Sequence, residues 1–179
     1  MEHEPARTPV SAAIITVSDS RSSGANADET VALLARRLET AAATIASYEV
    51  VPDEQGAVSE AIRRGCDAGA TLVLTTGGTG LGPRDVTPEA TLAVIERLVP
   101  GIPELLRVEG ARSTPMSWLS RGVAGQLGRS LVVNLPGSPH GADDGLSCLM
   151  PLLSHAAHVM SGGGHKADAE RAKDRAHVD

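Results

Sequence analysis

The stretch that most narrows the possible folds is LVLTTGGTGLGPRDVTPEAT, residues 72–91. Leu72-Val73-Leu74 is a short apolar run bounded by turn formers, the pattern of a strand buried on both faces of a parallel sheet. Four glycines then fall in the six positions from Gly77 to Gly82, with Pro83 behind them. Neither a helix nor a strand interior carries that much glycine cheaply. Arg84 and Asp85 follow, and Thr87-Pro88-Glu89 has the form of an N-cap with proline at the first helical position. The order is strand, glycine loop, charged pair, helix start.

Such an order has a chemical use. Glycines let backbone N–H groups turn toward an anion without a Cβ in the way, and a helix start adds donors and partial positive charge. In an open α/β sheet a loop of this kind lies at the carboxyl end of its strand, where ligands bind. Asp85 would there hold Mg²⁺ against phosphates, since Mg²⁺ takes one or two carboxylates and completes its shell with phosphate and water. A plain tight turn with a solvated or capping Asp accounts for the glycines equally well. The run is not a Walker A loop, for GK[ST] is absent, and Pro83 stands where a third dinucleotide-loop glycine would be.

The rest of the chain supports an α/β class. With one Trp, one Tyr and no Phe in 179 residues, the core must be built from Val, Leu, Ile and Ala, as parallel sheets covered by helices are. The same scarcity argues against single-stranded nucleic-acid binding, which relies on aromatic stacking. A net charge of −6 removes any broad basic surface for nucleic acid or anionic lipid. Any anionic ligand must be held by local dipoles, arginines and a metal. Cys66 and Cys148 lie far apart and read as small buried hydrophobes, with neither metal nor disulfide spacing. No stretch reaches membrane-spanning length and MEHEPARTP is too polar for a signal peptide, so a cytoplasmic location is expected.

In chain order, residues 1–9 read as a disordered tail, residues 10–160 as one α/β domain and residues 161–179 as a polar flexible tail. Strands are expected at Val10–Val17, Ala43–Val51, Leu72 onward and Ser130–Asn134. Helices are expected from Asp28, then over Gly56–Ala68, Pro88–Leu98, Pro103–Gly110 and Gly141–Met160. Pro151 should kink or divide the last of these. Leu146, Leu149, Leu152, Leu153 and Val159 are its expected core side chains, and Trp118 is expected at a helix junction or a subunit contact. His155 and His158, three apart, read as ordinary helix positions. Strands alternating with helices predict a three-layer αβα domain on a mostly parallel sheet. Ser18-Asp19, Thr75-Thr76 and Asn134 end three strands in small polar or glycine-rich turns, enough to line one crevice. Asp53 taken alone is a turn or cap residue; as a second acid following a strand of that sheet, it is also a candidate for a shared metal–nucleotide site.

Five motifs together, TVSDS at 16–20, VPDE at 51–54, TTGGTG with PRDVTPEAT at 75–91, TPMSWLSR at 114–121 and NLPGSP at 134–139, resemble the molybdopterin adenylyltransferases of molybdenum-cofactor biosynthesis. The G-domain of gephyrin and its plant counterpart look like close relatives. The resemblance covers about residues 10–160 and implies a cytoplasmic homotrimer with one active site per subunit. Its activity would be transfer of AMP from Mg-ATP to the terminal phosphate of molybdopterin, with hand-over to a molybdenum-insertion protein. Carried over residue by residue, it implies that Asp53 and Asp85 are the catalytic acids and Mg²⁺ ligands. It makes Thr76, Gly77, Gly78, Thr79 and Gly80 the nucleotide and pterin loop, and Ser120 a pterin-side serine. Asn134, Pro136, Gly137 and Ser138 would form a further wall. Ser18, Asp19 and Arg121 join the expected substrate contacts, with Arg84 or Arg121 supplying positive charge. A non-catalytic trimeric molybdopterin carrier of the same family is the alternative, and a scaffold role is a third.

Overall fold

The computed structural model describes residues 9–23 and 29–162. The expected tails, but for Pro9, Ser161 and Gly162, and the helix start at Asp28 lie outside the described residues.

The strands are β1 (Ser11–Val17), β2 (Thr44–Val51), β3 (Leu72–Thr76), β4 (Arg97–Leu98), β5 (Ala124–Leu127) and β6 (Ser130–Leu135). Six helices, α1 (Asp19–Ser22), α2 (Glu29–Thr40), α3 (Gln55–Asp67), α4 (Thr87–Leu92), α5 (Gly101–Ser113) and α6 (Pro139–Met160), run between them, with a 3-10 turn at Pro115–Leu119. The sheet order is β2-β1-β3-β6-β5-β4. The first four strands are parallel, and β5 and β4 extend the sheet antiparallel.

Side-chain alternation along the strands divides the core in two. Ala12, Ile14, Leu72, Leu74, Leu131 and Val133 face one way and pack with Leu34 and Leu38 of α2 and Leu146 and Leu149 of α6. Ala13, Ile15, Val73 and Val132 face the other way, against Val58, Ala61 and Ile62 of α3 and Ala90 of α4. Every residue of β3 and β6 is buried, so both strands are covered on both faces, as in a parallel sheet. Leu146 is fully buried, and truncation to Ala there would cost about 2–5 kcal/mol.

Register brings the strand ends level. Val17 pairs with Val51, Thr16 with Thr76, and Thr76 with Leu135. The loops after β2, β1, β3 and β6 therefore leave the sheet side by side, at the carboxyl edge where an α/β fold binds ligands.

Three expectations need correction. The helix expected over Pro88–Leu98 stops at Leu92, and Arg97–Leu98 becomes β4. Edge pairing wins there: the amides of Glu96 and Val99 donate to the carbonyls of Gln126 and Ala124 at 2.8 and 2.9 Å. Gly125 lets the two segments close up, since a Cβ on it would strike Ile95 and the Arg97 carbonyl. Second, Pro151 does not divide α6, which continues through it from Pro139 to Met160. Pro151 and Ser147 are both exposed, so the carbonyl that loses its helical donor faces water. Third, Leu152 and Val159 are exposed rather than packed inside, and Cys66 and Cys148 are only half-buried.

Candidate active site

The glycine loop is built by backbone constraint. Gly77 and Gly78 hold φ values of +102° and +62°, the left-handed region that glycine enters without penalty. A Cβ on Gly77 would collide with the Val17 carbonyl, and one on Gly78 with the Thr87 hydroxyl. Thr87, expected to cap α4, is instead its first residue, after Val86. Its amide donates to the Gly78 carbonyl at 3.1 Å and its hydroxyl to the Gly77 carbonyl at 2.8 Å. The far end of the loop folds on Asp85, whose Oδ2 accepts from the Gly82 amide at 2.7 Å.

Arg121 braces the same loop from outside. Its Nε donates to the Gly80 carbonyl and its Nη2 to the Asp85 carbonyl, both at 2.6 Å. Nη1 pairs with Glu89, and the Arg121 amide donates to the Thr79 carbonyl at 2.9 Å. The ion pair holds the Glu89 carboxyl below its usual range. The guanidinium expected to meet substrate is thus committed to the loop backbone. Asn134 is similarly engaged: buried, its amide nitrogen donates to the hydroxyls of Thr75 and Thr91 at 2.9 and 2.8 Å, and its oxygen accepts from Val123 at 3.1 Å. Thr76 donates to the Pro136 carbonyl at 2.8 Å, tying the β3 and β6 loops.

On one side of the glycine loop lies a cleft of about 430 Å³. Thr79, Gly80, Ser120, Pro136 and Ser138 line it, as expected from sequence, but so do Leu81, Leu106, Met116, Leu119 and His140. Of these, the apolar wall of Leu106 from α5 and Met116 and Leu119 from the 3-10 turn was not singled out in the sequence, where it resembles ordinary core periodicity. Gly110 marks the crossing, because a Cβ there would run into Ser117. A larger hollow of about 660 Å³ opens among Arg63, Cys66, Glu96 and Arg129. It lies where β3 and β6 begin, the edge at which α/β sheets do not bind ligands, so the smaller cleft is the one joined to the chemistry.

Asp19, Asp53 and Asp85 border the loop but do not line this cleft. Asp53, following β2, has its Oδ1 at 3.3 Å from where a Cβ of Gly78 would sit. Its Oδ2 accepts from the Asp19 amide at 2.8 Å, and its own amide donates to Asp19 Oδ1 at 3.0 Å. Arg84 closes on both Asp19 oxygens at 2.9–3.1 Å. The Asp53 amide first, and Arg84 second, hold the Asp19 carboxyl below its ordinary value. Ser18 caps α1 by accepting from Arg21, and its amide donates to the Val51 carbonyl at 2.9 Å. Among the described residues, Oδ1 of Asp53 and Oδ1 of Asp85 accept no hydrogen bond, so each has an oxygen for a cation. No group of three or more His, Cys, Asp or Glu side chains that could hold a metal gathers among the described residues; single carboxylate oxygens are the hard donors that Mg²⁺ takes beside phosphate and water.

The model of one family, described as "Probable molybdopterin binding domain", matches residues 13–155, from within β1 into α6. The chain belongs to this molybdopterin-binding family. Within the family, it is 43% identical over 156 residues to a molybdenum cofactor biosynthesis bifunctional protein of Synechococcus elongatus, covering 87% of this chain and 49% of that protein. The chain thus spans about half the length of that relative. It is 41% identical over 129 residues to the molybdopterin adenylyltransferase of Haemophilus influenzae, covering 70% of this chain and 66% of the relative. Among solved structures, the molybdopterin biosynthesis enzyme MoaB of Thermus thermophilus superposes with a TM-score of 0.80 at 46% identity, covering 86% of this chain and 97% of that one. The three-layer fold on a mostly parallel sheet is therefore the fold of the family.

Proposed function

We propose that the protein is a molybdopterin adenylyltransferase, transferring AMP from Mg-ATP to the terminal phosphate of molybdopterin and releasing pyrophosphate. The observation that carries the reading is the placement of the glycine loop. Thr79 and Gly80 line an apolar-walled cleft able to take a pterin, while Gly78 lies against Asp53 and Gly82 against Asp85, carboxylates able to take a metal–triphosphate. The names of the Haemophilus and Synechococcus relatives support the same assignment.

A molybdopterin phosphate oxygen attacks the α-phosphorus of ATP; that P–O bond forms while the bond to the pyrophosphate oxygen breaks. Such transfers depend on positioning and charge neutralisation rather than on covalent help. The monoester dianion is already nucleophilic, so no general base is assigned. Asp53 and Asp85 would hold Mg²⁺, which neutralises phosphate charge when bound. Amides of the glycine loop supply oriented donors that need no reorganisation as charge shifts. Thr79 and Gly80 face the pterin cleft together with Ser120 and Ser138, while Arg121, Thr76 and Asn134 keep those surfaces in place.

The assembly in this reading is a homotrimer in the cytoplasm, handing its adenylylated product to a molybdenum-insertion protein. Trp118, Met116 and Leu81 are more than half exposed, apolar surface suited to a subunit contact. Incubation with Mg-ATP and molybdopterin should yield AMP-pterin and pyrophosphate. Pterin binding without pyrophosphate release would make the protein a carrier and overturn the enzymatic reading.

A further inference from the structure

Among the described residues, Asp19 is the one acid at the site whose two carboxylate oxygens are both taken by the protein. Oδ1 accepts from the Asp53 amide at 3.0 Å and from Arg84 Nη2 at 3.0 Å. Oδ2 accepts from Arg84 Nε and Nη2 at 3.1 and 2.9 Å. In return, the Asp19 amide fixes Oδ2 of Asp53 at 2.8 Å, which leaves Oδ1 turned toward Gly78. Asp19 follows β1, Asp53 follows β2 and Arg84 comes from the loop after β3, so one carboxylate ties together loops from three adjacent strands.

We propose that Asp19 is a positioning residue for adenylyl transfer: it touches no substrate, its carboxylate places the Asp53 backbone and Arg84 beside the metal–triphosphate, and that pairing keeps its own amide in reach of Asp53 Oδ2. This rests on the adenylyltransferase reading above.

Charge supports the arrangement as well as geometry. Two carboxylates set against one another repel, and the Arg84 fork offsets the charge of Asp19. The charge of Asp53 is then left for a cation. An exposed ion pair alone is a weak tether, and Asp19 and Arg84 are 49% and 59% exposed. What distinguishes this pair is the bidentate fork combined with two reciprocal backbone hydrogen bonds, which restrict the carboxylate to one orientation. The Ser18 amide, bonded to the Val51 carbonyl at 2.9 Å, holds the two strand ends at the spacing the reciprocal pair needs.

The test is a double-mutant cycle of Asp19→Ala with Asp53→Asn, with Asp19→Asn as the conservative variant. Two readouts are taken: binding of Mn²⁺ with α,β-methylene-ATP, followed by electron paramagnetic resonance, and single-turnover AMP transfer. Asp19→Ala should weaken Mn²⁺–nucleotide binding several-fold and slow transfer by on the order of tenfold to a hundredfold, the cost of misplacing a catalytic group. Molybdopterin affinity should not change. Asp19→Asn keeps an oxygen for the Asp53 amide and should recover much of the metal binding. If Asp19 acts through Asp53, the double variant is no worse than Asp53→Asn alone. Additive losses, or a loss of pterin affinity in Asp19→Ala, would overturn the proposal. Wild-type protein that binds Mn²⁺ and the analogue but transfers no AMP would overturn the enzymatic reading, and the binding cycle would then decide the role of Asp19 by itself.

Discussion

The hydroxyl of Thr87 donates to the carbonyl of Gly77, ten residues back along the chain, at 2.8 Å. That bond closes the glycine loop at its base, in a place where both residues are held by their surroundings and Thr87 is fully buried. Thr87→Ala should therefore destabilise the protein by about 1 kcal/mol, the net worth of a hydrogen bond to the half-buried Gly77 carbonyl. Thr87→Ser should recover part of it. Urea unfolding of the three proteins checks this, and equal midpoints for Ala and wild type would refute it.

Arg121 gives a second test, because bracing and substrate binding differ in what a lysine can replace. Lysine keeps the charge but cannot span the Gly80 and Asp85 carbonyls as the planar fork does. Arg121→Lys and Arg121→Met should therefore lose transfer to a similar extent, and both should lower the melting temperature. If Lys retains near wild-type transfer while Met does not, the guanidinium meets substrate.

Asp85→Asn preserves the shape and the acceptor for the Gly82 amide but removes the charge that holds the cation. Turnover should fall on the order of a hundredfold or more, as when an electrostatic catalytic group is lost. Molybdopterin affinity should move far less. Calorimetric pterin titration beside single-turnover transfer separates the two; near-normal transfer with lost pterin binding would make Asp85 a pterin ligand.

The acid arm of stability should carry a signature of Asp143. Arg37 of α2 grips it at 2.6 and 2.7 Å, and these hydrogen bonds hold its carboxyl below the ordinary value of 3.8. A depressed carboxylate contributes stability above its unfolded value and loses it as pH falls through the folded one. Asp143→Asn should thus melt lower than wild type at pH 7, with the gap closing below about pH 4. A gap that persists unchanged at pH 3 would show that the pair contributes by shape rather than charge.

Assembly is checked by light scattering. The trimer requires a mass three times that of the 18.4 kDa chain at micromolar concentration. A monomer mass would sink the subunit-contact role given to Trp118 and its neighbours.

The parallel half of the sheet was legible because its strands are unbroken apolar runs ending in turn residues, and the glycine loop was legible because nothing but a turn holds that much glycine. The antiparallel edge was not. Arg97–Leu98 continues an apolar stretch that fits helical spacing, and only pairing with a distant segment made permissible by Gly125 turns it into a strand. The places of Asp53 after β2 and of Asp85 in the loop after β3 were readable, because each follows an apolar run that forms a strand. The commitment of Arg121 and Asn134 to the scaffold was not, because a side chain's partners sixty or forty residues away leave no local pattern. The apolar walls of the cleft were hidden for the opposite reason: Leu106 and Leu119 look in sequence like any core residue.

The scarcity of aromatic side chains has an optical consequence. Trp118 is the one tryptophan of the chain, it is 58% exposed, and it sits in the 3-10 turn between Met116 and Leu119 of the cleft wall. Its emission is therefore a native label for that wall. Pterin entry or subunit contact should shift the spectrum of unmodified protein toward the blue, while loosening of the aliphatic core far from the turn would pass unseen until the turn itself came apart.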